Sequence, residues 1–147
     1  MLILSKEVSF HTKEGLEFID FTDQIQEFVG QSQVKNGLLN IQTMHTTCSL
    51  LLNENEPLLL EDFKKHLAEL SEKGKDYNHN DFTRRTVNMC LGECQNGHAH
   101  CQAIHLPSTL TLNVIKGKMQ LGQWQRIFAV ELDRGRARKI QLQIIGE

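Results

Sequence analysis

The stretches Thr109-Leu110-Thr111-Leu112-Asn113-Val114-Ile115, Phe128-Ala129-Val130-Glu131-Leu132 and Ile140-Gln141-Leu142-Gln143-Ile144 decide the fold class. In each, apolar residues recur at every second position, the period of a strand that buries one face. Lys116-Gly117 and Asp133-Arg134-Gly135 supply the turns between them. Everything beyond Pro107 therefore reads as sheet. Upstream the period changes. Pro57 opens a run in which Leu59, Leu60, Phe63, Leu67 and Leu70 follow at three- and four-residue spacings, the signature of an amphipathic helix ending near Gly74. A second helix is expected after Asp23, which with Gln26 resembles a capping box opening onto Ile25, Phe28 and Val29. Asn36-Gly37 closes that segment. Residues 1–10 alternate through Leu2, Leu4, Val8 and Phe10, and 38–53 do so again with a break near His45-Thr46-Thr47. Strands and helices together make an α+β protein, and 147 residues suit a single domain.

A formal net charge of −2 and the absence of a basic arm argue against generic nucleic-acid binding. No apolar run approaches the roughly 20 residues of a membrane span, and the first seven residues lack the order of a signal peptide. The expectation is a cytoplasmic protein whose Cys48, Cys90, Cys94 and Cys101 remain thiols. Cys90-x3-Cys94 with Cys101 lacks the second paired spacing of a zinc ribbon.

Seven histidines are many for this length. His66, inside the long helix beside Lys64 and Lys65, reads as solvated, whereas His45, His79, His98 and His100 lie in polar, weakly periodic sequence. His45 stands at a strand end before Thr46-Thr47. Downstream, Asn53-Glu54-Asn55 places hydrogen-bonding side chains just before the Pro57 helix, with helix capping as the plain alternative for Asn55. The region 74–97 is a long polar loop carrying Tyr77-Asn78-His79-Asn80. On a strand, His98 and His100 would share a face and clamp one ligand; on a helix they would point roughly 200° apart. Ala99, Ala103 and the pattern to Leu106 favour a short helix. Three histidines converging would leave an open coordination position on a metal, the requirement of a catalytic site. Arg134, Arg136, Arg138 and Lys139 read as a charged strand edge, with phosphate binding as the alternative.

The segments His45-Thr46-Thr47-Cys48-Ser49, Asn53-Glu54-Asn55, Tyr77-Asn78-His79-Asn80, Ala99-His100 and Leu121-Gly122-Gln123-Trp124-Gln125, in this order, resemble the YjbQ family, often called secondary thiamine-phosphate synthase enzymes. The likeness departs at Cys48, where alanine is typical, and at Glu56, where an aspartate commonly precedes the proline. The resemblance implies antiparallel or mixed sheets with two main helices, a homotrimer, and a polar site at His45, Asn53, Glu54, His79 and His100. The leading expectation is a metal-assisted enzyme acting on a small phosphorylated molecule, with thiamine-phosphate synthesis as the activity the likeness suggests. His45, His79 and His100 would bind a divalent ion, zinc or magnesium, Glu54 would orient a ligand or act as base, and Asn53 and Ser49 would position substrate. Imidazoles suit zinc better than hard magnesium, which prefers oxygen. The alternatives are a non-catalytic trimer that binds a small anion and a metal-dependent phosphate-ester hydrolase.

Overall fold

The computed structural model describes residues 1–147. The elements run β1 (Leu2–His11), β2 (Glu17–Asp20), α1 (Thr22–Ser32), β3 (Asn36–Thr43), β4 (Cys48–Glu54), α2 (Pro57–Leu70), a 3-10 turn (Asn78–Asn80), α3 (Gly97–Ala103), β5 (Thr109–Ile115), β6 (Lys118–Met119), β7 (Gln125–Glu131) and β8 (Ala137–Gly146). One sheet has the order β1-β8-β3-β5-β6 and the other β2-β7-β4, with every strand pair antiparallel. The α+β class with antiparallel sheets is thus observed, with α3 as a short third helix.

The alternation in β8 sets the first core. Ile140, Leu142 and Ile144 point inward, and Leu39 and Ile41 of β3 lie opposite Ile144 and Leu142, so the cross-strand pairs stack in one apolar layer. That layer packs on the three-stranded sheet, with Ile25, Phe28 and Val29 of α1 completing the cluster. The three-stranded sheet is covered on both faces. Ile127 and Ala129 of β7 join the first core, whereas Phe128, Val130 and Leu132 join a second with Leu67 of α2 and Ala99 of α3. This explains the unbroken apolar run Ile127–Val130, since neither face of β7 meets water. The layers are therefore sheet, sheet and the α2–α3 pair.

Local details differ from the sequence expectation at the ends of both main helices. Helix α1 begins at Thr22, with no side-chain cap at Phe21, and Asp23 lies in its first turn. Gln26 turns away from any capping box: its amide donates to the Gly117 carbonyl and its oxygen accepts from the Met119 N–H. Asn36 and Gly37, which close the α1 segment as expected, open β3. A Cβ at Gly37 would come within 2.1 Å of the Ile145 carbonyl oxygen, so the absent side chain is what lets β8 lie alongside. Helix α2 ends at Leu70 and is capped by Glu56, whose carboxylate accepts from the N–H groups of Leu58 (2.9 Å) and Leu59 (2.8 Å). Glu56 thus holds the helix start and the negative charge favoured there. Replacing it with alanine should cost about 1 kcal/mol, and a thermal melt of Glu56→Ala should show a Tm lowered by about 2–4 °C.

Candidate functional site

Helix α3 and the 3-10 turn bring two of the expected histidines together. The turn docks on the helix because position 97 is glycine: a Cβ there would sit 2.6 Å from the Tyr77 Cβ. The Gly97 N–H then donates to Asn80 Oδ1 at 2.9 Å, and Tyr77 anchors the far side by donating its hydroxyl to the Glu72 carbonyl at 2.8 Å. The start of α3 is tied to the segment just after β7 by the Asn96 amide, which donates to Asp133 at 3.3 Å. As a result the rings of His79 and His100 stand 4.6 Å apart, inclined at 65°. His79 Nε2 is buried and has no hydrogen-bond partner. Arg85 is beside them: its Nη2 donates to the Asn88 carbonyl and its Nη1 lies 3.6 Å from Glu93, buried and without a hydrogen bond. Burial, then the nearby His79 and Arg85, push His100 below the ordinary imidazole range against the pull of Asp133 and Glu93. A neutral ring carries the lone pair that a metal ligand requires.

His45 is held differently. Its Nε2 accepts the Lys139 N–H at 2.9 Å, so in the neutral ring the proton resides on Nδ1. Burial and the guanidiniums of Arg138 and Arg136 keep that ring neutral by pushing it below the ordinary range, with Glu131 opposing. In this arrangement His45 offers an N–H donor rather than a free lone pair. No group of three or more His, Cys, Asp or Glu side chains is placed to hold a metal within the chain.

Below His45 lies a feature that the periodicity did not single out. Glu131 is fully buried and Arg138 is 3 % exposed. The Arg138 Nε and Nη2 donate to the two carboxylate oxygens at 2.6 and 2.5 Å, and Nη2 also donates to Thr47 Oγ1 at 2.9 Å. Thr12 Oγ1 and the Asp133 N–H donate to the same carboxylate, each at 2.9 Å. The pair fixes the 44–47 loop, and with it His45, onto β8. A charged strand edge is the sequence expectation for Arg138, yet it shares the parity of Ile140, Leu142 and Ile144, which is the signal that places it inward.

The remaining expected residues sit elsewhere. Ser49 is buried in β4 opposite Val130. Asn53 accepts the Glu54 N–H at 2.9 Å, and both line a cleft of about 350 Å³ with Gly122 and Trp124 that none of the histidines borders. Asn55 donates to Asp20, so it does not cap α2. Asp20 is the hub beside that cleft, accepting also from Thr22 and Arg126. Burial raises its pKa, but the bonds from Arg126, Thr22 and Asn55 outweigh it and hold the carboxyl at about 2. Because the folded value lies below the unfolded one, the stability it confers is present above about pH 4 and is lost as the pH falls toward 2. After a discount for partial solvent screening, the loss is about 1–2 kcal/mol. Urea midpoints measured across that window should fall for the wild type and flatten for Asp20→Asn.

Cys48 is a buried thiol pushed up to about 11 by that burial, and the other three cysteines are also unpaired. His98 is buried on α3 beyond the reach of the His79–His100 contact, as expected of the helical reading. No helix is long and apolar enough to cross a membrane.

The comparisons agree with this architecture. A UPF0047 protein from Methanothermobacter thermautotrophicus is 32 % identical over 147 residues, covering 100 % of this chain and 95 % of the relative. The YjbQ protein of Salmonella typhimurium is 31 % identical over 129 residues, 86 % of each chain. The crystal structure of a YbjQ-like protein of unknown function from Sulfolobus solfataricus superimposes with a TM-score of 0.83 at 32 % identity, covering 99 % of both chains. One of the YjbQ/UPF0047 family from Clostridium acetobutylicum gives 0.81 at 31 %, covering 95 % of this chain and 99 % of that one. With the family profile described as "UPF0047 protein YjbQ-like" matching residues 6–147, this chain belongs to the YjbQ/UPF0047 family.

Proposed function

We propose that this protein is a metal-assisted enzyme acting on a small phosphorylated molecule, with His79 and His100 as the imidazole pair that would hold a divalent ion. The observation that carries the reading is the buried, unpartnered Nε2 of His79 in a ring 4.6 Å from that of His100. A buried polar atom without a partner is costly, and an ion shared with the neighbouring imidazole would relieve that cost. Two nitrogen ligands favour zinc over magnesium. When bound, the ion would supply Lewis-acid stabilisation of charge on a phosphoryl oxygen. Arg85, with Nη1 lacking a hydrogen bond, provides a second positive group for the phosphate. His45 would join as a third ligand only after releasing the Lys139 N–H; as held, it is a hydrogen-bond donor.

Asn53, Glu54 and Ser49 are proposed to position substrate or move a proton, from a place apart from the imidazole pair within one chain. Thiamine-phosphate synthesis is the specific transfer that the family likeness suggests. We place the enzyme in the cytoplasm as a homotrimer. Support for association comes from Ile3, Ile145 and Leu38, adjacent across β1, β8 and β3 on the outer sheet face, which are 58 %, 38 % and 46 % exposed. Light scattering should return three times the 16.9 kDa chain mass.

The deciding measurement is metal content of protein purified without a histidine tag, followed by phosphate release or transfer before and after chelation. Stoichiometric zinc and activity lost on chelation support the proposal; no metal and no chelator effect remove it. A second reading, a non-catalytic binder of a small anion, is favoured by the Arg85 Nη1, which makes no hydrogen bond and meets Glu93 only at 3.6 Å. It predicts phosphate binding that chelation leaves intact.

A further inference from the structure

His98 and Gln102 lie one helical turn apart on the buried face of α3, 5 % and 2 % exposed, whereas His100 meets the 3-10 turn. Their face borders a cleft of about 280 Å³, closed by Ala68 of α2, Lys73 just beyond it, Glu14 in the β1–β2 turn and Asp133 after β7. The polar groups of this wall are incompletely used. Gln102 donates its amide to the Leu67 and Ser71 carbonyls, both at 3.1 Å, but its Oε1 has no partner. Asp133 engages Asn96, Arg134 and Arg136 through Oδ2 alone, leaving Oδ1 free. Lys73 and Glu14 border the same cleft, yet neither enters an ion pair.

We infer that this cleft is a binding site for a small zwitterion of the amino-acid type, separate from the imidazole pair. The wall presents an ammonium and an imidazole together with two carboxylates and an amide oxygen, without pairing the ammonium to either carboxylate. A ligand with one charge would satisfy only part of that set. A carboxylate accepts from Lys73 and His98, while an ammonium donates to Glu14 and Asp133. The volume lies just under the about 300–1,000 Å³ of sites for drug-sized molecules, so the side chain of the ligand must be small. The inference does not rest on the imidazole-pair reading, since neither His79 nor His100 lines this cleft.

The test is a titration of the isotope-labelled full-length protein with glycine, serine, lactate and ethanolamine, followed by amide and side-chain NMR shifts. About 10 mM of each suffices to fill most of a site with a millimolar Kd. Glycine and serine are expected to shift the resonances of Lys73, His98 and Gln102, with lactate and ethanolamine, each singly charged, at least about tenfold weaker by the loss of one ion contact. Ala68→Leu, which fills the cleft from α2, and Lys73→Met, on an exposed side chain that the fold does not need, should each abolish the serine response. Silence from all four compounds means a hydrated cleft only and overturns the inference. Equal binding of lactate or ethanolamine overturns it too, as does a serine response that survives both substitutions in folded protein.

Discussion

Arg138→Met is expected to lower stability by about 3–5 kcal/mol, a large share of the about 5–15 kcal/mol of a typical domain. The reason is what the substitution leaves behind. Glu131 is fully buried and two of its bonds come from Arg138; without the guanidinium the carboxylate keeps only Thr12 and the Asp133 N–H. A charge in that position must either remain unpaired or take up a proton, and both are costly. With a slope near 2 kcal/mol/M, the urea midpoint should fall by about 2 M. Glu131→Gln should cost a similar amount from the other side. The double variant Glu131→Leu with Arg138→Met should recover most of the loss, because paired apolar replacements remove the desolvation cost along with the attraction. Failure of the double variant to recover would show that the bonds to Thr47 and Thr12, rather than the charges, hold this corner together. The guanidinium is also one of the charges that push His45 down, so Arg138→Met should raise the His45 imidazole pKa in a proton titration.

His100→Ala is expected to remove the bound divalent ion and, with it, turnover. Losing a neighbour of a metal ligand typically costs 10–100-fold in affinity, so losing a ligand itself should cost more than about 100-fold. The helix should survive, since alanine is the residue best suited to a helix interior and His100 makes no side-chain hydrogen bond on which α3 depends. A melting curve close to wild type, together with absent metal and absent phosphate release or transfer, is the expected set of results. His79→Ala should behave alike and also eliminate the buried Nε2 that has no partner, so its stability in metal-free buffer should equal or exceed that of the wild type. Metal content and turnover unchanged in both variants would dispose of the imidazole pair as a ligand set.

Much of the chain was readable from residue order. Period-two runs identified β1, β3, β5, β7 and β8, the strand-like stretch to Asn53 covered β4, and Pro57 with its three- and four-residue spacings identified α2. The short helix under Ala99 and Ala103 was favoured by small residues and followed from them. Capping is less legible, because several carboxylates and amides near one helix start are equivalent in sequence. Distance alone chose Glu56 over Asn55 for α2, and sent Gln26 to β6 instead of back to its own helix. The candidate site was legible as a set of residues and not as an arrangement. His79 and His100 met through a glycine that admits Tyr77, whereas Asn53 and Glu54 ended beside Trp124.

By itself the amino-acid order determined the class of structure, the positions of most elements and the residues able to do chemistry, since these depend on short-range periodicity and side-chain type. Only the folded chain decided that Arg138 is buried against Glu131, that His45 yields its Nε2 lone pair to β8, and that His100 meets His79 while His98 faces the cleft beside Lys73. These outcomes turn on contacts between residues tens of positions apart. Which polar atom finds a partner, and which is left without one, is settled by how the layers close.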